Sequence, residues 1–145
     1  MEIVEKKGFK VVGIKVEGDW QTLSQEMDKT WQWFFNKANE IKHKVGNSYM
    51  DICLQEDSGV YTQLICAEVE RFEDIPHDMT YMEIGSDRYL YSVHKGDLTE
   101  IPGAFEEIYN WADARGYNTD EFKIDYGYEE NGLEVKHDLY VRILD

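Results

Sequence analysis

"VEGDWQTLSQEMDKTWQW" at residues 16–33 and "HKGDLTEIPGAFEEIYNW" at residues 94–111 carry one pattern at an offset of 78 positions. Laid over one another, Gly18 falls on Gly96 and Asp19 on Asp97. Trp20 falls on Leu98, Leu23 on Ile101, Met27 on Phe105, Thr30 on Ile108, Trp31 on Tyr109 and Trp33 on Trp111. Upstream, Val11 meets Tyr89 and Val12 meets Leu90. Few of these positions are identical. What recurs is an order of strand, glycine turn and amphipathic helix, with apolar residues in register. Self-similarity at so long a period governs the architecture before any single motif does. The chain therefore reads as one domain, 1–145, of two pseudo-repeats, about 1–75 and 76–145, joined near Pro76 and His77.

Each half follows from local pattern. Residues 9–17, "FKVVGIKVE", alternate as a strand. Asp19 is placed to cap a helix, its side chain accepting orphan backbone N–H groups. Trp20, Leu23, Met27, Trp31, Phe34, Ala38 and Ile41 then recur at three- and four-residue steps, which predicts a helix to about residue 41. Two strands follow, about 48–56 and 60–71, joined by "EDSG". In the second half, strands are expected at 79–84 and 87–95 and a helix over about 100–115. Pro102 sits in its first turn and Gly116 at its end. Strands at 121–127 and 135–144 finish the unit, with "EENG" between them. The expected fold is α+β: duplicated β-α-β-β modules, antiparallel sheets, two main helices and a central cleft where the halves meet. Clefts of that kind favour ligands.

Composition narrows the function. The 145 residues carry 30 acids against 15 bases, a net charge of −15, with 42% hydrophobic and 14% aromatic residues. Such an acidic field repels phosphate backbones, so no direct nucleic-acid partner is expected, while cations are attracted. No apolar run reaches the length of a membrane span, and the N-terminus lacks the pattern of a secretion signal. A cytoplasmic protein is expected. If "EDSG" turns a hairpin, Cys53 lies opposite Gln63 and Cys66 opposite Met50. The two thiols then point to opposite faces and form no disulfide. The histidines His43, His77, His94 and His137 lack metal-ligand spacing, and no phosphate-binding or nucleophile motif occurs. Neither metal nor cofactor is expected.

Several carboxylates sit in strands. In "LICAEVERF", Cys66, Glu68 and Glu70 share one face and Ile65, Ala67 and Val69 the other. Asp51, Asp125 and Asp138 repeat the theme. A buried, unpaired charge is costly; the plain alternative is that these acids face water on the open side of a sheet. Trp33 and Trp111 hold equivalent places beside their helix stripes, where they either edge a core or wall a pocket. Aromatic walls with a carboxylate suit flat or amphipathic cations.

The run "AEVERFEDIPHDMTYMEIGSDRYLYSVHKGDLTEIPGAFEEIYNWADARGY" at 67–117 resembles the GyrI-like ligand-binding family, which includes the effector-binding domains of AraC-type and MerR-type transcription regulators. The shared features are a Glu-Val strand end, a proline, Tyr followed by His-Lys-Gly-Asp, a helix with Ile-Tyr-x-Trp, and Gly-Tyr. The resemblance implies a stand-alone binder of bulky, hydrophobic and often cationic small molecules. Glu68 matches the family's strand-end glutamate and Trp111 its helical aromatic; Tyr109, Tyr91, Trp33, Asp125 and Asp138 complete the expected ligand-binding set. Relatives also imply two other roles: hydrolysis of cyclopropane-bearing toxins by a cleft glutamate, and a gyrase-inhibitor-like protein-interaction module. This chain departs from the family pattern at Lys123, in a place often held by a carboxylate, and at Arg142, where proline is usual.

Overall fold

The computed structural model describes residues 1–130, 132 and 136–144. Strands β1 (Glu2–Lys6) and β2 (Phe9–Gly18) lead to helix α1 (Trp20–Lys37), which a 3-10 turn extends over Ala38–Glu40. Strands β3 (Tyr49–Asp57), β4 (Val60–Val69), β5 (Thr80–Ile84) and β6 (Asp87–Lys95) follow. A 3-10 turn at Leu98–Glu100 opens helix α2 (Ile101–Ala114), and β7 (Asn118–Tyr128) and β8 (Lys136–Leu144) finish the chain. The offset of 78 carries β1 onto β5 end for end and β2 onto β6. Each half is thus β-β-α-β-β: the strands expected at 79–84 and 87–95 are both present in the second half, and the first half has an additional strand, β1, beyond the expected β-α-β-β. The join of β7 to β8, expected at 129–132, lies partly outside the described residues.

All strands form one antiparallel sheet in the order β1-β6-β8-β7-β3-β4-β2-β5. The halves are side by side, with β3 and β7 at the centre. Their first strands are exchanged: β1 pairs with β6 of the second half, and β5 with β2 of the first. This exchange dictates the shape. In the sheet order β1 and β2 stand six places apart, as do β5 and β6. In a flat sheet that is about 29 Å, at about 4.8 Å per strand. Yet each pair is joined by two residues, Lys7–Gly8 and Gly85–Ser86. Such a link reaches only about 10 Å, so the sheet must curl until its edges approach. The two links also bond to each other, Gly8 N–H donating to Ser86 Oγ at 2.9 Å. Near the closure, Lys6 Nζ lies 4.8 Å from the Phe9 ring of β2, six places away in the sheet order, and 5.2 Å from the Tyr140 ring of β8.

Curling gives the sheet an inside. Phe9, Val11, Met50, Ile52, Leu64, Cys66, Ile84, Tyr89, Phe122 and Ile124 fill the concave face as one core with no further layer over it. Both helices pack on the convex face over separate cores: α1 over Val12, Ile65, Ala67 and Val69, and α2 over Leu90, Leu139, Val141 and Ile143. Local chemistry follows the pattern: Asp19 Oδ1 accepts from Thr22 N–H at 2.7 Å to cap α1, and Asp97 Oδ1 accepts from Thr99 N–H. In the β3–β4 hairpin Cys53 does lie opposite Gln63 and Cys66 opposite Met50, the register being restored by a bulge between Cys53 and Gln55. Both thiols are free.

One glycine has its identity fixed by the close approach of β2 to β4. A Cβ on Gly13 would sit 1.9 Å from the Ile65 carbonyl oxygen and 2.6 Å from Cys66 Cα, both backbone atoms that cannot swing aside. In α2, a Cβ on Gly103 would meet nothing within 4 Å. Gly13→Ala is expected to lower the urea unfolding midpoint by the equivalent of about 3 kcal/mol or to prevent folding. Gly103→Ala should raise it by roughly 0.5–1 kcal/mol through helix propensity alone.

Candidate functional site

On the convex face α1 packs over β2 and β4, while α2 packs over β6, β7 and β8. The two helices thus pack over different strands and over separate buried cores. Between them lies a seam floored by β3 and β7. The strand registers set out its floor. One row across the sheet runs Ile14, Ile65, Asp51, Asp125, Leu139, Ser92. The next runs Val16, Gln63, Cys53, Lys123, Val141, Leu90. At the centre of an otherwise mostly apolar face, two aspartates from the two halves stand directly opposite each other.

Their surroundings differ. Asp125 is 5% exposed and fully engaged: Tyr128 O–H donates to Oδ2 at 2.7 Å, and His137 Nδ1 lies 2.5 Å from Oδ1. His137 is itself buried, and its Nε2 has no partner among the described residues. Asp51 receives Gln63 Nε2–H on Oδ1 at 2.8 Å. It keeps some accessible surface while protein crowds round it, as a group does at the bottom of a recess. Burial pushes its carboxyl up to about 7, and the like charge of Asp125 adds to this; the Gln63 hydrogen bond and the Lys123 charge oppose it. Like charges opposed across antiparallel strands destabilise each other, and a carboxylate deprived of water holds its proton more tightly. Lys123 stays with Glu121, at 3.5 Å, and within 3.4 Å of the Tyr109 hydroxyl. Cys53, on the same floor, is pushed up to about 11 by burial, so it is a thiol and not a nucleophile.

Aromatic rings wall the seam. Trp31 of α1 stacks on Tyr128 at 4.2 Å between centroids and 26° between planes, with Phe35 at 5.1 Å. A ring of the first half thus covers the tyrosine that holds the acid of the second. From α2, Tyr109 donates its hydroxyl to the Asp120 carbonyl at 2.8 Å, with the Lys123 ammonium 5.2 Å from its ring. Burial raises the Tyr109 phenol, so it remains a neutral donor.

Of the residues expected to bind ligand, the seam brings together Asp125 and Tyr109, and it adds Asp51, which the sequence marked as a strand acid without placing it in that set. Trp33 lies on the other side of α1, its ring 5.2 Å from Lys37, which ion-pairs with Asp78 in the linker. Trp111 stacks on Tyr117 at 5.9 Å and under Arg115 at 4.1 Å, at the C-terminal end of α2. In each half the ring that walls the seam stands two residues earlier, Trp31 and Tyr109. Glu68, Tyr91 and Asp138 lie on the opposite, concave side, where Glu68 shares its face with Cys66 and Tyr91 O–H donates to Asp138 Oδ1 at 2.6 Å. A cavity of about 340 Å³ opens at the rim of that side, lined by Glu2, Val4, Lys6, Tyr91 and Tyr140 among others. Its aromatic faces already hold the protein's own cation, Lys6. Asp51, Gln63, Trp31, Tyr128 and His137 are the seam residues that the sequence reading did not select. The matching strand acids of "YMDICL" and "FKIDYGY" were the available signal.

A family model described as a GyrI-like small molecule binding domain matches residues 1–144. Among solved structures, SAV2435 bound to tetraphenylphosphonium superposes with a TM-score of 0.79 at 14% identity, covering 99% of this chain and 93% of that one. The EcmrR C-terminal domain gives 0.72 at 11% identity, over 99% and 96% of the two chains. A hydrolase encoded by lin2189 from Listeria innocua gives 0.54 at 9% identity, over 99% and 91%. A comparison with curated proteins finds no match.

The seam has a stability signature. Asp51 holds its proton up to about pH 7 in the fold, against an ordinary value of 3.8. The fold therefore has its full stability below about pH 4 as far as this group is concerned, and loses part of it as pH rises through 7. Asparagine still accepts from Gln63 but cannot ionise. Asp51→Asn should stabilise by only about 1 kcal/mol at pH 4.5 and by a few kcal/mol at pH 8, one unit being about 1.4 kcal/mol. Equal effects at both pH values would refute the assignment.

Proposed function

The chain belongs to the GyrI-like small-molecule-binding family, and from that footing we propose that it binds a bulky hydrophobic cation in the seam between α1 and α2. The carrying observation is the opposed pair Asp51 and Asp125 beneath aromatic walls. A lipophilic cation supplies what this arrangement lacks. Its charge relieves the repulsion of the two carboxylates, and its apolar body covers Trp31 and Tyr109. Ring faces attract positive charge by roughly 0.5–2 kcal/mol each, more when desolvated. The net charge of −15 draws cations toward the protein from solution. SAV2435 was solved with tetraphenylphosphonium, a cation of this class. Glu68, Tyr91 and Asp138, on the other side of the sheet, are not needed for this reading.

A hydrolytic reading draws on the same group. A carboxyl that titrates near neutrality can give or take a proton, and the fold is shared with the Listeria innocua hydrolase. It adds a requirement, turnover lost in Asp51→Asn, that binding alone does not have.

Tetraphenylphosphonium titrated into the protein at pH 8 should quench tryptophan fluorescence, because Trp31 walls the seam. Asp51→Asn should weaken binding at least tenfold and Trp31→Leu should remove most of the quenching, while Glu68→Gln leaves both unchanged. Loss in Glu68→Gln with retention in Asp51→Asn would move the site to the concave side and refute the seam.

A further inference from the structure

We infer that the seam is an electroneutral exchanger: a lipophilic cation enters as Asp51 releases a proton. The inference rests on the proposed site and adds its regulation. It starts from how the two opposed acids are held. Asp125 has both oxygens committed, to Tyr128 and His137, and is almost completely buried. Among the described residues Asp51 has one hydrogen-bond donor, the neutral Gln63, and it is less buried than Asp125. Two carboxylates directly opposite on neighbouring strands, walled by rings, cannot both be charged without cost. The proton therefore goes to the acid with the weaker set of partners, in agreement with the upward shift of Asp51 to about 7.

The other groups on this face do not change the assignment. From β7 come Asp125, Lys123 and, one position beyond, Glu121, which holds Lys123 at 3.5 Å. β8 brings His137, already on Asp125, and β3 brings the thiol of Cys53. From β4 come Gln63 and the phenol of Tyr61, raised by burial. α2 presents the Tyr109 phenol and α1 the uncharged ring of Trp31. Lys123 is the cation nearest the pair, and it does not complete it: Asp51 remains raised with that charge included.

The exchange balances simply. One cation enters, the Asp51 O–H bond breaks, its proton passes to water, and the electron pair stays on the carboxylate facing the cation. The charge of the seam is the same before and after. A permanently charged ligand is thus bound in competition with protons. Affinity should rise as pH rises toward 7 and level off above it, tenfold per unit on the acid side.

Tetraphenylphosphonium is the right probe, since its own charge does not titrate. Calorimetric titration of the full chain at pH 6, in two buffers of different ionisation enthalpy, should report nearly one proton released per cation. Kd should fall about tenfold between pH 5.5 and 6.5 and change less than twofold between pH 8 and 9. Asp51→Asn should bind more weakly, with a flat profile from pH 5.5 to 8 and no buffer-dependent heat. Wild-type binding with a flat profile and no proton release would overturn the exchange while leaving the cation site standing. Proton release that persists in Asp51→Asn would assign the exchange to another group and overturn it equally. If the probe fails to bind at any pH, the cation site itself fails, and the exchange with it.

Discussion

Two links of two residues each, Lys7–Gly8 and Gly85–Ser86, constrain everything else in this fold. They join strands that a flat sheet would hold about 29 Å apart, so the eight strands have to curl. The curl puts one face inside, where it buries a core without needing a third layer. It also puts both helices on a convex surface, over separate cores. Had the first strand of each half paired within its own half, nothing would compel this curvature, and two helices over a flatter sheet could meet and close the middle. The open seam is thus a consequence of strand exchange, set by contacts at the far edges of the sheet.

Separate helix-face cores are the second consequence. Trp31, Phe34 and Ala38 pack with Ile65 and Val69, while Ile101, Phe105 and Ile108 pack with Leu139 and Ile143. The two clusters flank the central row through Ile65 and Leu139, and Asp51 and Asp125 stand between them. They are dry enough to repel one another and open enough to be relieved by something from outside. A charge pair sealed inside one core would cost more than any stabilising role could return. The same pair between two cores is what the cation reading proposed above draws on.

Much of the frame was legible because it is local. Both Gly-Asp turns, the Asp19 cap and the register that separates Cys53 from Cys66 follow from spacing within a few residues, and the structure has them. β1 was missed because "EIVEK" carries three charges in five residues and gains its place only by pairing with β6, distant in sequence. The site was half legible for the same reason. Asp125 and Tyr109 stand where a strand acid and a stripe aromatic can be picked out singly. The apposition of Asp51 with Asp125 depends on how β3 meets β7 across the two halves, which no local pattern encodes. Trp33 and Trp111 attracted attention by being identical in the repeat. Identity at equivalent places marks a shared structural role, here an outer helix position beside a cation, Lys37 or Arg115. The seam positions two residues earlier have instead diverged, to Trp31 and Tyr109.

Divergence within symmetry is what makes the seam a site. A strictly two-fold pair of acids would share strain and protons evenly, with no preferred place for either. Here the second half gives its acid a histidine, a tyrosine hydroxyl and deep burial, while the first half gives its acid one amide and shallower burial. The asymmetry gives Asp125 two hydrogen-bond partners and Asp51 one. Lys123 could have neutralised the pair from within, but Glu121 and the Tyr109 hydroxyl hold its ammonium to one side. On the concave side the outcome is the reverse: Lys6 lies over Phe9 and Tyr140, so that aromatic rim is satisfied by the protein's own cation. On the cation reading proposed above, the seam holds the deficit that an external charge would fill, whereas on the concave side Lys6 already lies over the rings.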